Sequence, residues 1–170
     1  DIRGIVGRTL TEDTVRQIGR ALGSEAQERA ADQRRQAVAV GRDGRLSGPA
    51  LAAALMQGLR ESGVDVIDIG MVATPITYFA AHHLGCGSAV SVTGSHNPPD
   101  YNGLKMVLAG VTLSGDDIQG LRQRIEQGRF ASGAGQASAV DVLPAKDGTP
   151  SKLRRSIRFQ DLTAKEAAKQ

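Results

Sequence analysis

The most informative stretch of this 170-residue chain is residues 88–98, which read Ser88-Ala89-Val90-Ser91-Val92-Thr93-Gly94-Ser95-His96-Asn97-Pro98. The first five residues are small and mostly apolar and predict a buried strand, and the polar remainder predicts a loop directly after it. In open α/β sheets, ligands bind beyond the carboxyl ends of the strands. Gly94 permits an unusual backbone beside Ser95, and Pro98-Pro99 stiffens the exit. We therefore expect Ser95 at the tip of a stiff binding loop. On composition alone, an ordinary surface loop is the alternative.

On both sides of this stretch, apolar strands alternate with amphipathic helices. Apolar runs predict strands, and apolar residues at helical spacing predict helices. The strands are expected at 37–41, 64–70, 88–92 and 104–108, and the helices at 11–29, 47–63, 74–84 and from 115 onward. This alternation predicts an α/β fold with a mixed, mostly parallel sheet sandwiched between helices. The strand at 104–108 follows its predecessor through a loop alone, so we expect it to run antiparallel.

The character of the sequence changes after Phe130. Residues 131–138 are small and flexible, and Ala139 to Leu143 could form one more short strand. Residues 144–170 show no clear periodicity apart from a possible terminal helix from Thr163. We therefore divide the chain into a folded domain at 1–143 and an atypical, loosely structured basic tail at 144–170.

Composition excludes several classes of function. The net charge of +3 lies wholly in residues 131–170, and residues 1–130 are neutral, so we expect no nucleic-acid partner. No apolar run approaches the roughly 20 residues that cross a bilayer, so we expect no membrane partner. The single cysteine, Cys86, allows no disulfide within the chain, and a reducing cytoplasm is the expected compartment.

Four motifs together resemble the α-D-phosphohexomutase superfamily. Thr93 to Pro98, followed by Asn102-Gly103 and Lys105, resembles the active-serine loop of that family. Asp1 to Gly4, Gly41 to Ser47 and Thr74-Pro75 resemble its other motifs in order and spacing. The resemblance covers about residues 1–143 and implies the first of the family's four domains. The Gly94-Ser95 pair is most similar to bacterial phosphomannomutase/phosphoglucomutase. A phosphoglucosamine mutase domain is the alternative, although those proteins usually have Ala-Ser there.

The resemblance implies a phosphoryl-transfer site. Ser95 would carry a phosphate and interconvert hexose 1-phosphate and hexose 6-phosphate of glucose or mannose through a sugar bisphosphate, which also serves as activator. Mg²⁺ would bind a phosphate oxygen on Ser95. Lys105 would transfer a proton at the sugar hydroxyl, aided by the fixed cation Arg3, which would also steady the phosphate. His96 and Asn97 would contact substrate, and His96 could assist the proton transfer.

The charged side chains of the second motif have a different interpretation. Arg42, Asp43 and Arg45 are interpreted as a loop ion network that braces the edge of the site rather than as catalytic groups.

Several parts of the family's pattern do not occur in these 170 residues. The Asp-x-Asp-x-Asp metal loop, the sugar-specificity loop and the phosphate-binding loop of the family all come later in its sequence. We therefore expect the remaining phosphohexomutase domains to be absent from this chain, and the chain alone to be incomplete and inactive. A non-catalytic remnant or binding module is the second hypothesis. The preferred hexose and the oligomeric state stay open.

Overall fold

The computed structural model describes residues 1–29 and 36–142 and the backbone of residues 157 and 158. These residues form four helices, α1 (Glu12–Arg29), α2 (Gly48–Glu61), α3 (Thr74–His83) and α4 (Gly115–Glu126). They also form eight strands, β1 (Ile2–Ile5), β2 (Ala37–Arg42), β3 (Asp65–Met71), β4 (Ala89–Val92), β5 (Tyr101–Leu108), β6 (Val111–Thr112), β7 (Ala137–Ala139) and β8 (Ile157–Arg158).

All eight strands belong to one mixed sheet with the order β1-β5-β4-β2-β3-β7-β8, and β6 pairs with β5. The pairs β2–β3, β2–β4 and β3–β7 are parallel. The pairs β1–β5, β4–β5, β5–β6 and β7–β8 are antiparallel. The predicted mixed sheet and the antiparallel direction of the strand at 104–108 are confirmed. That strand begins earlier than predicted, at Tyr101.

Helices cover both faces of the sheet, as the sequence predicted. One face packs against α1, α2 and α4, and its aliphatic core includes Leu22, Leu55, Val90, Met106 and Leu121. The other face packs against α3, with a smaller core that includes Ala39, Ile69, Ala80 and Ala89. Successive strand residues point to opposite faces, so β4 places Ala89 in the smaller core and Val90 in the larger one.

The pair α1 and α2 shows how local sequence sets packing. The Thr11 hydroxyl accepts a hydrogen bond from the Thr14 amide at 3.1 Å and so caps the start of α1. Deeper in the pair, the two backbones approach so closely at Gly58 that a Cβ there would overlap the Arg16 carbonyl oxygen. Glycine is therefore required at this crossing, despite its poor helix propensity.

Three strands differ from the sequence predictions. The short strand predicted at 139–143 lies at Ala137–Ala139, where it pairs in parallel with β3. Strands β1 and β6 were not predicted. Ser47, directly before α2, makes no side-chain cap; its hydroxyl accepts a hydrogen bond from the side-chain amide of Asn102 at 2.9 Å. Of the tail at 144–170, only the backbone of residues 157 and 158 is described, and the helix predicted from Thr163 lies outside the described residues.

Candidate active site

Two loops lie side by side at the carboxyl ends of β2 and β4. We call residues 93–100 the Ser95 loop and residues 43–47 the Arg45 loop. The Asp43 amide donates to the Val92 carbonyl at 3.0 Å and so continues the pairing of β2 with β4 beyond the strands. The Asp43 carboxylate then accepts the Gly94 amide at 2.9 Å. The predicted place for a ligand site is therefore the place where these two loops meet.

The Ser95 loop contains an unusual backbone, but not at the residue that the sequence suggested. Ser95 itself has a φ of 51°, in the left-handed region, and Gly94 does not. This conformation costs an L-residue roughly 1–2 kcal/mol. Local hydrogen bonds hold the turn: the Ser95 amide donates to the Thr93 hydroxyl at 3.0 Å, and the Asn97 amide and side chain donate to the Gly94 carbonyl at 3.0 and 2.8 Å.

The Ser95 hydroxyl and the His96 ring lie within hydrogen-bonding distance. Ser95 Oγ is 3.3 Å from His96 Nδ1, and both residues are exposed. Neighbouring side chains point apart in an extended loop, but the left-handed conformation of Ser95 brings these two together. Within residues 1–29 and 36–142, no carboxylate bonds to His96, so the pair has no third member of a hydrolytic triad.

Arg3 and Lys105 lie together on β1 and β5. The Asp1 carboxylate contacts both, at 2.9 Å from Lys105 Nζ and 3.3 Å from Arg3 Nη2. Lys105 lies in the middle of β5 opposite Ser91 of β4, and Arg3 lies opposite Gly103. Lys105 therefore lies on the strand next to β4, which leads into the Ser95 loop, and Arg3 lies one strand further away. The structure gives neither of them a hydrogen bond to Ser95 or His96 among the described residues.

The Arg45 loop binds the Ser95 loop mainly through main-chain atoms. The Arg45 guanidinium donates to carbonyls of the Ser95 loop, and the Asp43 carboxylate accepts from Gly94 and Arg45. Arg42 contributes less, with one long contact of 3.5 Å to the Asp43 carbonyl. The bracing predicted for this motif is thus present, but it acts largely on backbone carbonyls rather than through an ion network.

An open cavity of about 620 Å³ lies between the two loops. It is lined by Ser95, Asn97 and Pro99 on one side, by the whole Arg45 loop on the other, and by Val6. Leu46, in the Arg45 loop, is fully exposed beside it. Arg3, His96 and Lys105 are not among the lining residues. The cavity therefore gathers only part of the predicted site, Ser95 and Asn97.

The described residues do not form a magnesium site by themselves. In residues 1–29 and 36–142, no group of three His, Cys, Asp or Glu side chains is close enough to hold a metal ion. Asp43 is the carboxylate of the Arg45 loop. Its two oxygens already accept hydrogen bonds from the Arg45 and Gly94 amides. Mg²⁺ normally needs protein carboxylates in addition to phosphate oxygens.

Across the part of the chain that the structure describes, no helix is both long and apolar enough to cross a bilayer.

Comparisons with known proteins agree with this architecture. Residues 1–132 match the family described as phosphoglucomutase/phosphomannomutase, alpha/beta/alpha domain I. The chain is 56% identical over 144 residues to a phosphomannomutase/phosphoglucomutase of Pseudomonas aeruginosa, covering 85% of this chain and 30% of the relative. It is 50% identical over 141 residues to a phosphoglucomutase of Neisseria meningitidis, covering 83% and 30%.

Among solved structures, a phosphoglucomutase/phosphomannomutase family protein of Burkholderia thailandensis superimposes with a TM-score of 0.77 at 53% identity, covering 84% of this chain and 32% of the other. A structure described as a phosphomannomutase of Thermus thermophilus gives a TM-score of 0.70 at 30% identity, covering 82% and 31%. This chain thus spans about a third of the length of the proteins that it matches.

Proposed function

Because the chain belongs to the phosphoglucomutase/phosphomannomutase family, as its domain I, we propose that Ser95 carries the phosphoryl group that interconverts hexose 1-phosphate and hexose 6-phosphate. The proposed substrates are glucose and mannose phosphates, and relatives at 44–56% identity with the names phosphomannomutase and phosphoglucomutase support them. The observation that carries the proposal is the exposed Ser95 hydroxyl in a left-handed turn at the end of β4, 3.3 Å from His96 Nδ1.

The proposed reaction has two transfers. In the first, the phosphorus–oxygen bond to Ser95 breaks and a new bond forms to the free hydroxyl of the hexose phosphate, whose proton leaves to a base. The serine oxygen takes up a proton as it leaves, so the products are a sugar bisphosphate and a free Ser95 hydroxyl. After the sugar turns over, the other phosphoryl group returns to Ser95, the serine proton leaves, and the sugar oxygen takes up a proton. Phosphoryl transfer depends chiefly on positioning and on neutralising charge.

The neighbouring side chains have proposed roles in these steps. His96, whose Nδ1 is 3.3 Å from Ser95 Oγ, is proposed to accept the serine proton when Ser95 is rephosphorylated. Lys105 is proposed to exchange a proton with the sugar hydroxyl, for which its ammonium must first release the Asp1 carboxylate. Arg3 is proposed to steady the transferring phosphate as a fixed cation. Asn97 is proposed to contact substrate, although its amide is engaged with the Gly94 carbonyl in the free loop.

The complete activity needs parts beyond the described residues. Mg²⁺ is the proposed cofactor, and this chain's contribution to its site is the phosphate on Ser95, with carboxylates supplied from elsewhere. Relatives of about three times the length carry the names of the whole enzymes. Positioning of a bound substrate supplies roughly 7–11 kcal/mol of a barrier. The 170-residue chain alone is therefore proposed to be inactive.

The first experiment tests Ser95 in a complete enzyme. Residues 1–142 would replace the matching segment of the Pseudomonas aeruginosa relative, and this chimera would be incubated with a labelled hexose bisphosphate and Mg²⁺. Phosphopeptide mapping should place the label on Ser95, and Ser95→Ala should abolish it. Ser132→Ala, an exposed serine after α4, is the matched control and should keep the label. Label on another serine, with Ser95→Ala active, would contradict the proposal.

The second experiment uses the 170-residue chain alone. It should fail to convert glucose 1-phosphate or mannose 1-phosphate to the 6-phosphate, even with Mg²⁺ and a sugar bisphosphate. Loss of most of the positioning energy corresponds to many powers of ten in rate at about 1.4 kcal/mol per decade. Turnover that follows the protein through purification and disappears in Ser95→Ala would show that this chain completes the site by itself.

A further inference from the structure

We propose that Arg45 is the positioning residue of the phosphate carrier: its guanidinium fixes the main chain around Ser95 and thereby sets the direction in which the serine hydroxyl points. The proposal rests on the function proposed for Ser95, and it adds a residue that acts on the reaction through the loop backbone. It also assigns a role to the second motif that a surface ion network would not have.

The first observation is the number of carbonyls that one side chain binds. Arg45 Nη1 donates to the Pro98 carbonyl at 2.6 Å and to the Tyr101 carbonyl at 2.9 Å. Arg45 Nη2 donates to the Asn97 carbonyl at 2.6 Å and to the Ser95 carbonyl at 3.2 Å. The four acceptors span the loop from the carrier residue to the first residue of β5. A single guanidinium therefore fixes both ends of this segment relative to each other.

The second observation is that Arg45 is itself held in place. Its side chain is only 17% exposed, and its own amide donates to Asp43 Oδ1 at 3.0 Å. The other oxygen of Asp43 accepts the Gly94 amide and lies 3.7 Å from Arg45 Nε. Asp43 thus joins Arg45 to the residue just before Ser95. Both loops are anchored to the sheet by the bond from the Asp43 amide to the Val92 carbonyl.

The third observation is the backbone that this arrangement supports. Ser95 has a φ of 51°, a conformation that a serine keeps only when its surroundings determine it. Its carbonyl is one of the four that Arg45 binds, so the guanidinium constrains the strained residue directly. Gly94 lies beneath the Arg45 side chain, where a Cβ would overlap it. The loop therefore has the shape that the guanidinium imposes.

Arginine is the residue type that this role requires. Its planar guanidinium has five donors in a fixed fork, whereas a lysine ammonium is a compact group with three. A lysine at position 45 would keep the charge and most of the aliphatic stem but could not bind four carbonyls in two directions. Arg45→Lys therefore tests the positioning role, because it removes most of these hydrogen bonds and keeps the positive charge.

The decisive measurement is amide hydrogen exchange in the full 170-residue chain. The amides of Ser95, Asn97 and Tyr101 are hydrogen-bonded within the loop, so their exchange reports its order. In Arg45→Lys and Arg45→Gln we expect them to exchange at least ten times faster, with the amides of α1 changed less than twofold. The matched control is Arg60→Lys, because Arg60 also donates to a loop carbonyl, that of Gly135 at 3.0 Å, but far along the chain from Ser95.

Two outcomes of that measurement would overturn the proposal. One is unchanged exchange of the Ser95 loop in both Arg45 variants. The other is equal acceleration in the loop and in α1, which would mean that Arg45 only contributes to global stability. Arg60→Lys should accelerate exchange near Gly135 and leave the Ser95 loop as it was. If Arg45→Lys is too unstable to measure, Arg45→Ala with and without millimolar guanidinium serves instead, and restored loop protection is the expected result.

Activity of the chimera gives the second readout. A misplacement of about 1 Å can cost on the order of a hundredfold in rate, so Arg45→Lys should slow phosphorylation of Ser95 by about that factor and leave the KM for hexose phosphate within about threefold. If the unmodified chimera takes up label and Arg45→Lys takes it up equally fast, the positioning role is wrong. If the unmodified chimera takes up none, the function proposed for Ser95 is wrong, and the exchange data still decide the role of Arg45 in the loop.

Discussion

The two segments that flank β5 each contain a non-glycine residue with a positive φ, for different reasons. Before the strand, the Ser95 loop contains a serine with a φ of 51°. After the strand, the turn Ala109-Gly110 joins Leu108 to Val111 of β6 and contains an alanine with a φ of 48°. Of the non-glycine residues that the structure describes, these two have a positive φ.

The contacts around the two residues differ. In the turn, the Ala109 amide donates to the Ser88 hydroxyl at 3.0 Å and the Gly110 amide donates to the Gly87 carbonyl at 2.7 Å. Two consecutive residues with positive φ are what a tight two-residue hairpin requires, and Asn-Gly is the favoured pair there. The strain at Ala109 is therefore set by chain geometry, and a better residue exists. At Ser95 the proposed chemistry requires the hydroxyl, so glycine cannot replace the serine. Its strained backbone conformation is instead stabilised by hydrogen bonds with neighbouring side chains.

The largest expected effect comes from replacing Ser95 with glycine, which should increase stability and abolish function. Glycine adopts the left-handed conformation without the Cβ penalty, although it costs more backbone entropy. Ser95→Gly should therefore raise the free energy of unfolding of the 170-residue chain by about 0.5–1 kcal/mol, and it should abolish labelling of the chimera completely. Ser95→Ala should abolish labelling without the gain in stability. Urea unfolding and phosphopeptide mapping measure the two effects. Equal stability of the two variants would show that Ser95 is not strained in solution.

The second effect concerns the turn and should leave function untouched. Ala109→Gly and Ala109→Asn should each raise the free energy of unfolding by about 0.5–1 kcal/mol, since both residues suit a positive φ at this position. Labelling of the chimera should not change. Ala53→Gly, at an exposed position inside α2, is the control and should lower stability by about 1 kcal/mol. A loss of stability in Ala109→Gly would mean that the turn adopts a different conformation.

The same two segments show what could be predicted from sequence. The strand 88–92 and the polar loop after it were predicted because apolar runs and turn residues are local signals. The conformation of Ser95 was not, because glycine was the residue expected to adopt it and one of the contacts that hold it comes from Arg45, 50 residues earlier. Backbone carbonyls occur at every residue, so no sequence pattern shows which of them an arginine will bind.

Strand β1 was missed for a related reason. Ile2–Ile5 is four residues long and contains a glycine, and it pairs with residues 101–104, which lie much later in the chain. Only that long-range pairing places Arg3 beside β5 and brings Asp1 to Lys105. The grouping of these cations was implied by the family resemblance and could not be derived from local periodicity.

The smallest expected effect is a loss of stability at low pH, and it arises away from both segments that flank β5. At the contact between α1 and α4, the hydrogen bond from Arg124 lowers the pKa of the Glu28 carboxyl below its usual value of 4.5. The Arg124 Nη1 to Glu28 Oε1 distance is 2.8 Å, and the Arg124 side chain is 8% exposed. Since the folded pKa lies below the unfolded one, this pair contributes stability that is complete above about pH 5. That contribution is lost as the pH falls through the folded pKa.

Glu28→Gln tests this directly. The Glu28 side chain is 61% exposed, so solvent screening limits the pair to about 0.5 kcal/mol at neutral pH. The difference in unfolding free energy between the unmodified chain and Glu28→Gln should have that size at pH 7 and should shrink as the pH falls below 4.5, the usual pKa of the carboxyl. In an Arg124→Gln background, the pH-dependent effect of Glu28→Gln should be much smaller, because the partner that lowers the Glu28 pKa most is gone. Amide hydrogen exchange in the Ser95 loop and in the Ala109 turn should be the same in the unmodified chain and in Glu28→Gln at each pH. A larger response in the Ser95 loop than in α1 and α4 would instead place the acid-sensitive contact at the candidate active site.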